Sequence, residues 1–209
     1  MSVTGPPSTG QGRLHLCRRL GQYVWLYRLD RALIVVKFAP DPVRVAALAQ
    51  EAAILRRLAP AGVAPQPITH TTGGGRARLL MQYLPGTHPT TPLDPDGKAF
   101  HALRQAVTSA HALGVVHCDL KPSNILLHAG RAWLLDWGLS APIGALVPAL
   151  KRRPYSSGWT HPDMIWGRGR VHPVFDLHAL ARFCTTQYRN VAHLPMVQPQ
   201  ISEGSIRPL

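Results

Sequence analysis

One short run constrains this chain more than anything else in it: His117-Cys118-Asp119-Leu120-Lys121-Pro122-Ser123-Asn124. It continues into apolar Ile125-Leu126-Leu127 and reaches Asp136-Trp137-Gly138-Leu139 eleven positions after Ile125. The stretches around Ile125 to Leu127 and Ala132 to Leu135 read as short strands, so the polar groups fall on turns beside regular structure. Upstream, Phe100, Leu103, Val107, Ala110 and Leu113 recur at helical spacing after Asp96, a candidate N-cap, and Gly114 closes that helix.

The first part of the chain is strand-rich. From Leu14 to Lys37 short apolar and aromatic runs break near Gly21 and at Asp30 and Arg31, with Ala32 to Phe38 the strongest strand. Asp41 and Pro42 supply an N-cap and a first-turn proline for a helix over Val43 to Leu58. On it Glu51 shares a face with Ala47, Leu48, Leu55 and Leu58, and a carboxylate on an apolar face needs a partner. Gln66 to Thr72 and Arg76 to Leu84 read as a hairpin turning at Gly73, Gly74 and Gly75, where glycine tolerates positive φ. A long irregular stretch, Gly138 to Pro173, precedes a helix over Val174 to Gln187. Strands to residue 84 and helices beyond predict an α+β fold of two lobes with a crevice between them.

An apolar content of 45% supports a real core in 209 residues. Cys17, Cys118 and Cys184 are too scattered for a disulfide framework, which points to a reducing, cytoplasmic setting. The start of the chain lacks the apolar centre of a signal peptide, and no apolar run is long enough to span a bilayer. The formal charge of +13 would attract nucleic acid, acidic lipid or acidic protein, without choosing among them. The basic residues are nearly all arginine: lysine stands only at Lys37, Lys98, Lys121 and Lys151, and glutamate only at Glu51 and Glu203.

The run from His117 to Asn124, with Asp136-Trp137-Gly138, resembles the catalytic loop and metal-binding turn of protein kinases, whose pattern is H-R-D-L-K-x-x-N followed by D-F-G. A loop merely rich in Asp, Pro and Asn would not match so many positions in register. The resemblance implies an ATP- and Mg2+-dependent Ser/Thr protein kinase of bilobal fold. Asp119 would orient the acceptor hydroxyl, Lys121 would neutralise the γ-phosphate, and Asn124 with Asp136 would hold magnesium; His117 and Trp137 would pack behind as scaffold. Ile34-Val35-Val36-Lys37 resembles the strand whose lysine grips the α- and β-phosphates, with Glu51 as its helix partner. In a chain that otherwise prefers arginine, lysine at both positions suits phosphate, which accepts it as a point charge.

By the same resemblance Met81 would stand at the back of an adenine pocket and Gln82, Tyr83 and Leu84 would form its connector, with Gly21, Val24, Val35 and Leu126 completing the lining. Ser156 would occupy the hydroxyl position beside the catalytic aspartate. Asp176 would anchor the catalytic-loop backbone, and Gly158 to Asp163 would end the activation segment. The implied organisation is a disordered stretch over 1–12, a small lobe with its connector over 13–84, a shortened helical lobe over 85–189 and a tail over 190–209.

Several departures qualify this. Gly21 alone stands where three glycines are expected in the phosphate cover, and Cys118 replaces the arginine that meets a phosphorylated activation loop, so loop phosphorylation is not the expected switch. The short helical lobe and basic charge resemble RIO-like atypical kinases, while Leu120-Lys121-Pro122 favours a minimal protein kinase. A pseudokinase scaffold, and a small-molecule kinase acting on a sugar or lipid headgroup, are the other readings. The expected partner is a protein bearing a Ser or Thr hydroxyl and acidic in character; nucleic-acid binding rests on charge alone, and Lys151 to Arg153 with Arg168 and Arg170 are the basic clusters that would serve it.

Overall fold

The computed structural model describes residues 14–185. The ends assigned to the N-terminal stretch, the tail and the last residues of the larger lobe lie outside them. Three strands open the fold, β1 (Leu14–Gly21), β2 (Val24–Leu29) and β3 (Ala32–Ala39), followed by α1 (Pro42–Leu58), β4 (Pro67–Gly73) and β5 (Arg76–Gln82). They form one antiparallel sheet in the order β1-β2-β3-β5-β4, with α1 packed against it. Gly74 and Gly75, both at positive φ, make the two-residue turn between β4 and β5. The α1 start is as the residues predict: the Asp41 side chain accepts the Arg44 N–H at 2.9 Å, and Pro42 occupies the first turn.

The rest comprises α2 (Lys98–Ala112), the two-residue strand β6 (Val115–Val116), the hairpin of β7 (Ile125–His128) and β8 (Arg131–Leu134), β9 (Ala141–Pro142) paired with β6, α3 (Pro162–Trp166) and α4 (Val174–Arg182). The α2 N-cap is Gly97, not Asp96. Asp94 is responsible: its side chain accepts the Asp96 N–H and its carbonyl the Gly97 N–H, closing a turn that starts the helix later. Likewise α4 ends at Arg182 rather than Gln187, because Phe183, Cys184 and Thr185 turn back onto carbonyls of Leu180, Ala181 and Arg182.

One apolar core runs through both lobes, joining Leu55, Leu58 and Leu79 of the sheet side to Leu103, Val107, Ile125, Leu134 and Trp137. A smaller cluster of Val116, Ala141, Val147, Met164, Val171 and Phe175 fixes the segment after Asp136 to the larger lobe. Both turns of the diagnostic run are therefore anchored on packed structure. No described helix is long and apolar enough to cross a membrane.

Candidate active site

Lys37 enters the site from β3, where it pairs in register with Val24 on one side and Leu79 on the other. Its Nζ donates to Glu51 Oε1 at 2.6 Å and to Asp136 Oδ1 at 2.8 Å. Glu51 is 4% exposed, so the ammonium is the partner its apolar face demands. Burial alone would pull the Lys37 ammonium down, but Glu51 and Asp136 outweigh it and hold it above its ordinary range. Lys37 in turn holds the Asp136 carboxyl below the usual carboxylate range, against the effect of burial. Asp136 adopts a left-handed backbone, φ 61°, which aspartate tolerates better than most residues.

On the facing loop, Asp119 receives two hydrogen bonds at short range: Lys121 Nζ donates to Oδ2 at 2.7 Å and Ser156 Oγ to Oδ1 at 2.8 Å. Lys121 Nζ also lies 3.1 Å from Ser156 Oγ, so the hydroxyl is seated between ammonium and carboxylate. Asn124 Nδ2 donates to the Asp119 carbonyl at 2.9 Å and to its Oδ2 at 3.2 Å, which turns the carboxamide oxygen away from the aspartate.

Asp176 sets the loop from behind. Buried on α4, it accepts the backbone N–H of His117 at 2.8 Å and of Cys118 at 2.9 Å. That grip holds Cys118 at φ 68°, a conformation most side chains avoid. His117 packs on Trp137 with ring centroids 4.6 Å apart and reaches the Leu135 carbonyl through Nε2 at 2.8 Å. The Cys118 thiol is buried, which pushes its pKa up and leaves no cation at this position.

Between these two groups lies a cleft of about 680 Å³. Its walls include Val24, Val35, Lys37, Glu51, Met81, Gln82, Tyr83, Leu84, Leu126, Asn124 and Asp136, while Asp119 and Lys121 stand beside its Asn124 wall. Gly21 does not line it. The hairpin of β1 and β2 is a tight turn at Gln22 and Tyr23 rather than an open glycine loop, closed by Arg19, whose side chain donates to the carbonyls of Gly21 and Gln22 at 2.8 and 3.0 Å. Arg44 lies over the Tyr23 ring, 4.9 Å from its centroid.

The sequence profile described as "Protein kinase domain" matches residues 77–198, more than half of the chain. The chain belongs to the protein kinase family. A second profile, "Phosphotransferase enzyme family", matches residues 22–108 of this kinase. The chain is 32% identical to human "Serine/threonine-protein kinase PAK 4" over 100 residues, 44% of this chain and 17% of that protein. It is 36% identical to "CBL-interacting serine/threonine-protein kinase 8" of Arabidopsis thaliana over 81 residues, 38% and 18% of the two chains. With "Serine/threonine-protein kinase SKS1" of Saccharomyces cerevisiae the identity is 44% over 52 residues, 24% and 10% of the two. The matches span less than a fifth of each of these relatives.

Two parts of this candidate site escaped the sequence reading. His111 Nε2 meets Asp176 Oδ2 at 2.8 Å; its place on the inner face of α2 was readable, but not the carboxylate arriving from 65 residues later. Arg18, Arg44 and Arg152 line the cleft, and Arg152 lies in an irregular stretch whose direction no periodicity reveals.

Proposed function

We propose that this kinase transfers the γ-phosphoryl group of ATP, with magnesium, to a Ser or Thr hydroxyl of a protein. The supporting observation is convergence: Lys37, Glu51 and Asp136 on one side and Asp119, Lys121 and Asn124 on the other meet at a single cleft.

The residues fit the nucleotide. The apolar lining of Val24, Val35, Met81 and Leu126 suits an adenine ring. The backbone N–H groups of Tyr83 and Leu84 have no partner among the described residues, whereas that of Gln82 is spent on the Gln66 carbonyl. A donor left free in a half-buried wall is what an adenine edge needs. Lys37 would meet the α- and β-phosphates. They also fit the metal: the Asn124 oxygen and the second Asp136 oxygen are hard ligands, and magnesium carried on phosphate needs only one or two from the protein. Magnesium would neutralise charge on the transferring group.

In the transfer itself the acceptor oxygen forms a bond to the γ-phosphorus as the bond to the departing ADP oxygen breaks, and the hydroxyl proton passes to Asp119. Ser156 occupies that acceptor seat here, with its hydroxyl on Asp119 and Lys121. A substrate hydroxyl would take the same contacts, with Lys121 offsetting charge on the phosphoryl group.

Asp119→Asn keeps the shape of the side chain and removes the base. Transfer of labelled phosphate from ATP to a generic protein substrate is expected to fall about a hundredfold to ten-thousandfold. Unchanged transfer would remove Asp119 from this role. The match of residues 22–108 to phosphotransferases supports a second reading, a small-molecule acceptor. Assaying an aminoglycoside and a sugar beside the protein separates them, since transfer only to the small molecules would favour it.

A further inference from the structure

Two basic clusters far apart in the sequence meet close to the acceptor seat. Gly167 ends α3 at φ 67°, and a Cβ there would collide with the guanidinium of Arg153, which therefore lies directly on that bend. The next residue, Arg168, lays its guanidinium over the Trp166 ring, 5.0 Å from the centroid. Arg153 and Arg168 thus crowd one bend; Lys151 and Arg152, both exposed, precede Arg153 in the chain, and Arg152 also lines the cleft. Among the described residues none of these four forms an ion pair, and the acid of α3, Asp163, faces His161 at 3.8 Å instead. Like charges gathered without a counter-ion raise the local potential, and a bound anion relieves it. Two large aromatics next to these arginines in the chain are exposed, Tyr155 at 74% and Trp166 at 61%.

The position of this patch narrows the kind of anion. Arg153 precedes Ser156 by three residues, and three residues of extended chain span at most about 10 Å. Ser156 Oγ is 2.8 Å from Asp119 Oδ1. The Cα of Arg153 is therefore within about 10 Å of that of Ser156, the reach of an extended peptide three residues from a hydroxyl.

We infer that this face binds carboxylates flanking the acceptor hydroxyl, making acidic protein segments the preferred substrate class. The inference rests on the proposed role of Asp119, and the patch adds selectivity to it. Guanidinium forks accept phosphate as readily as carboxylate. A compact patch beside the acceptor seat fits a short acidic segment better than the long charged track that follows a nucleic-acid backbone.

The test reads binding apart from transfer. Fluorescence anisotropy with the full chain compares three labelled probes: a serine peptide with Asp and Glu two to four residues from the serine, its Asn and Gln counterpart, and a single-stranded oligonucleotide of equal charge. The acidic peptide is expected to bind at least about tenfold more tightly than the neutral one, an advantage that weakens with salt and disappears in R153E/R168E. Far-UV circular dichroism checks the fold, and R153Q/R168Q replaces the reversed variant if that one is unfolded. Equal binding of the two peptides, tighter binding of the oligonucleotide, or an advantage that survives both variants would overturn the inference. Preference without transfer would sink the role of Asp119 and keep this surface; transfer without preference would do the reverse.

Discussion

Replacing Asp176 with alanine is expected to lower the melting temperature on the order of 10 °C and to abolish most transfer. The carboxylate accepts two buried backbone N–H groups, of His117 and Cys118, and contacts His111 Nε2. An unsatisfied buried donor costs about 1–3 kcal/mol, so the two amides alone consume a large part of a typical stability of about 5–15 kcal/mol. For a chain of this size each kcal/mol is worth roughly 2–4 °C. Cys118 would also lose the bond that keeps it at φ 68°, and the backbone leading to Asp119 would relax. A displacement of about 1 Å at a reacting group can cost on the order of a hundredfold in rate. Asp176→Asn retains one accepting oxygen and sets its amide against the other N–H, so it should fall between the alanine variant and the parent. Thermal melts and phosphate transfer check both; an alanine variant that melts with the parent and transfers at its rate would show that the loop holds itself.

Lys37→Met is expected to cost stability and nucleotide binding together. Glu51 is 4% exposed and would keep a buried carboxylate with no cation, a loss of about 3–5 kcal/mol for a broken buried pair. Asp136 counts for less in this sum, because its side chain is 57% exposed and water screens it. The double variant Lys37→Met, Glu51→Gln removes the orphaned charge and should recover much of the loss, which urea unfolding of the parent, the two single variants Lys37→Met and Glu51→Gln, and the double variant measures. Nucleotide at a hundredfold excess over its dissociation constant is expected to stabilise the parent by about 2.7 kcal/mol, and that shift should vanish in both Lys37 variants.

The pH dependence has a definite sign. Lys37 is raised, so its contribution is complete below the unfolded value of about 10.4 and fades as pH climbs through the folded one. Asp136 is lowered, so its contribution is complete above about 3.9 and fades as pH falls through the folded value. The stability gap between the parent and Lys37→Met is therefore expected to hold up to roughly pH 9 and to shrink above it, and to shrink again at acid pH as the carboxylates take up protons. A Lys37→Met protein as stable as the parent, and still shifted by ATP, would remove the lysine from the site.

Much of this fold was legible because it is locally encoded. The Asp41 cap, the glycine hairpin and the apolar stripe of α2 each follow from residues within a turn or two of one another. Glu51 was legible for a related reason: a carboxylate on a buried face predicts its partner. What escaped is held by contacts between distant segments. Strands β6 and β9 have two residues each and exist only because they pair with each other across the loop. Asp94 moved the start of α2 through a turn that competed with the expected cap. Gly21 suggested a remnant of a glycine loop, whereas Arg19 closes a short turn there with its side chain. The meeting of Arg153 with Gly167 joins an irregular segment to the end of a five-residue helix, and no local pattern announces it.

Manganese placed on ATP in place of magnesium tests most directly where a triphosphate would lie, because it broadens the amide signals of residues around it. Convergence of Lys37, Asn124 and Asp136 on one metal-bound triphosphate predicts that their signals, with that of Leu126, fade first as Mn2+-ATP is added to labelled protein. The Gly74 and Gly75 turn should stay sharp, and Asp136→Ala should abolish the effect. Broadening centred on that turn, or none at saturating nucleotide, would contradict the site.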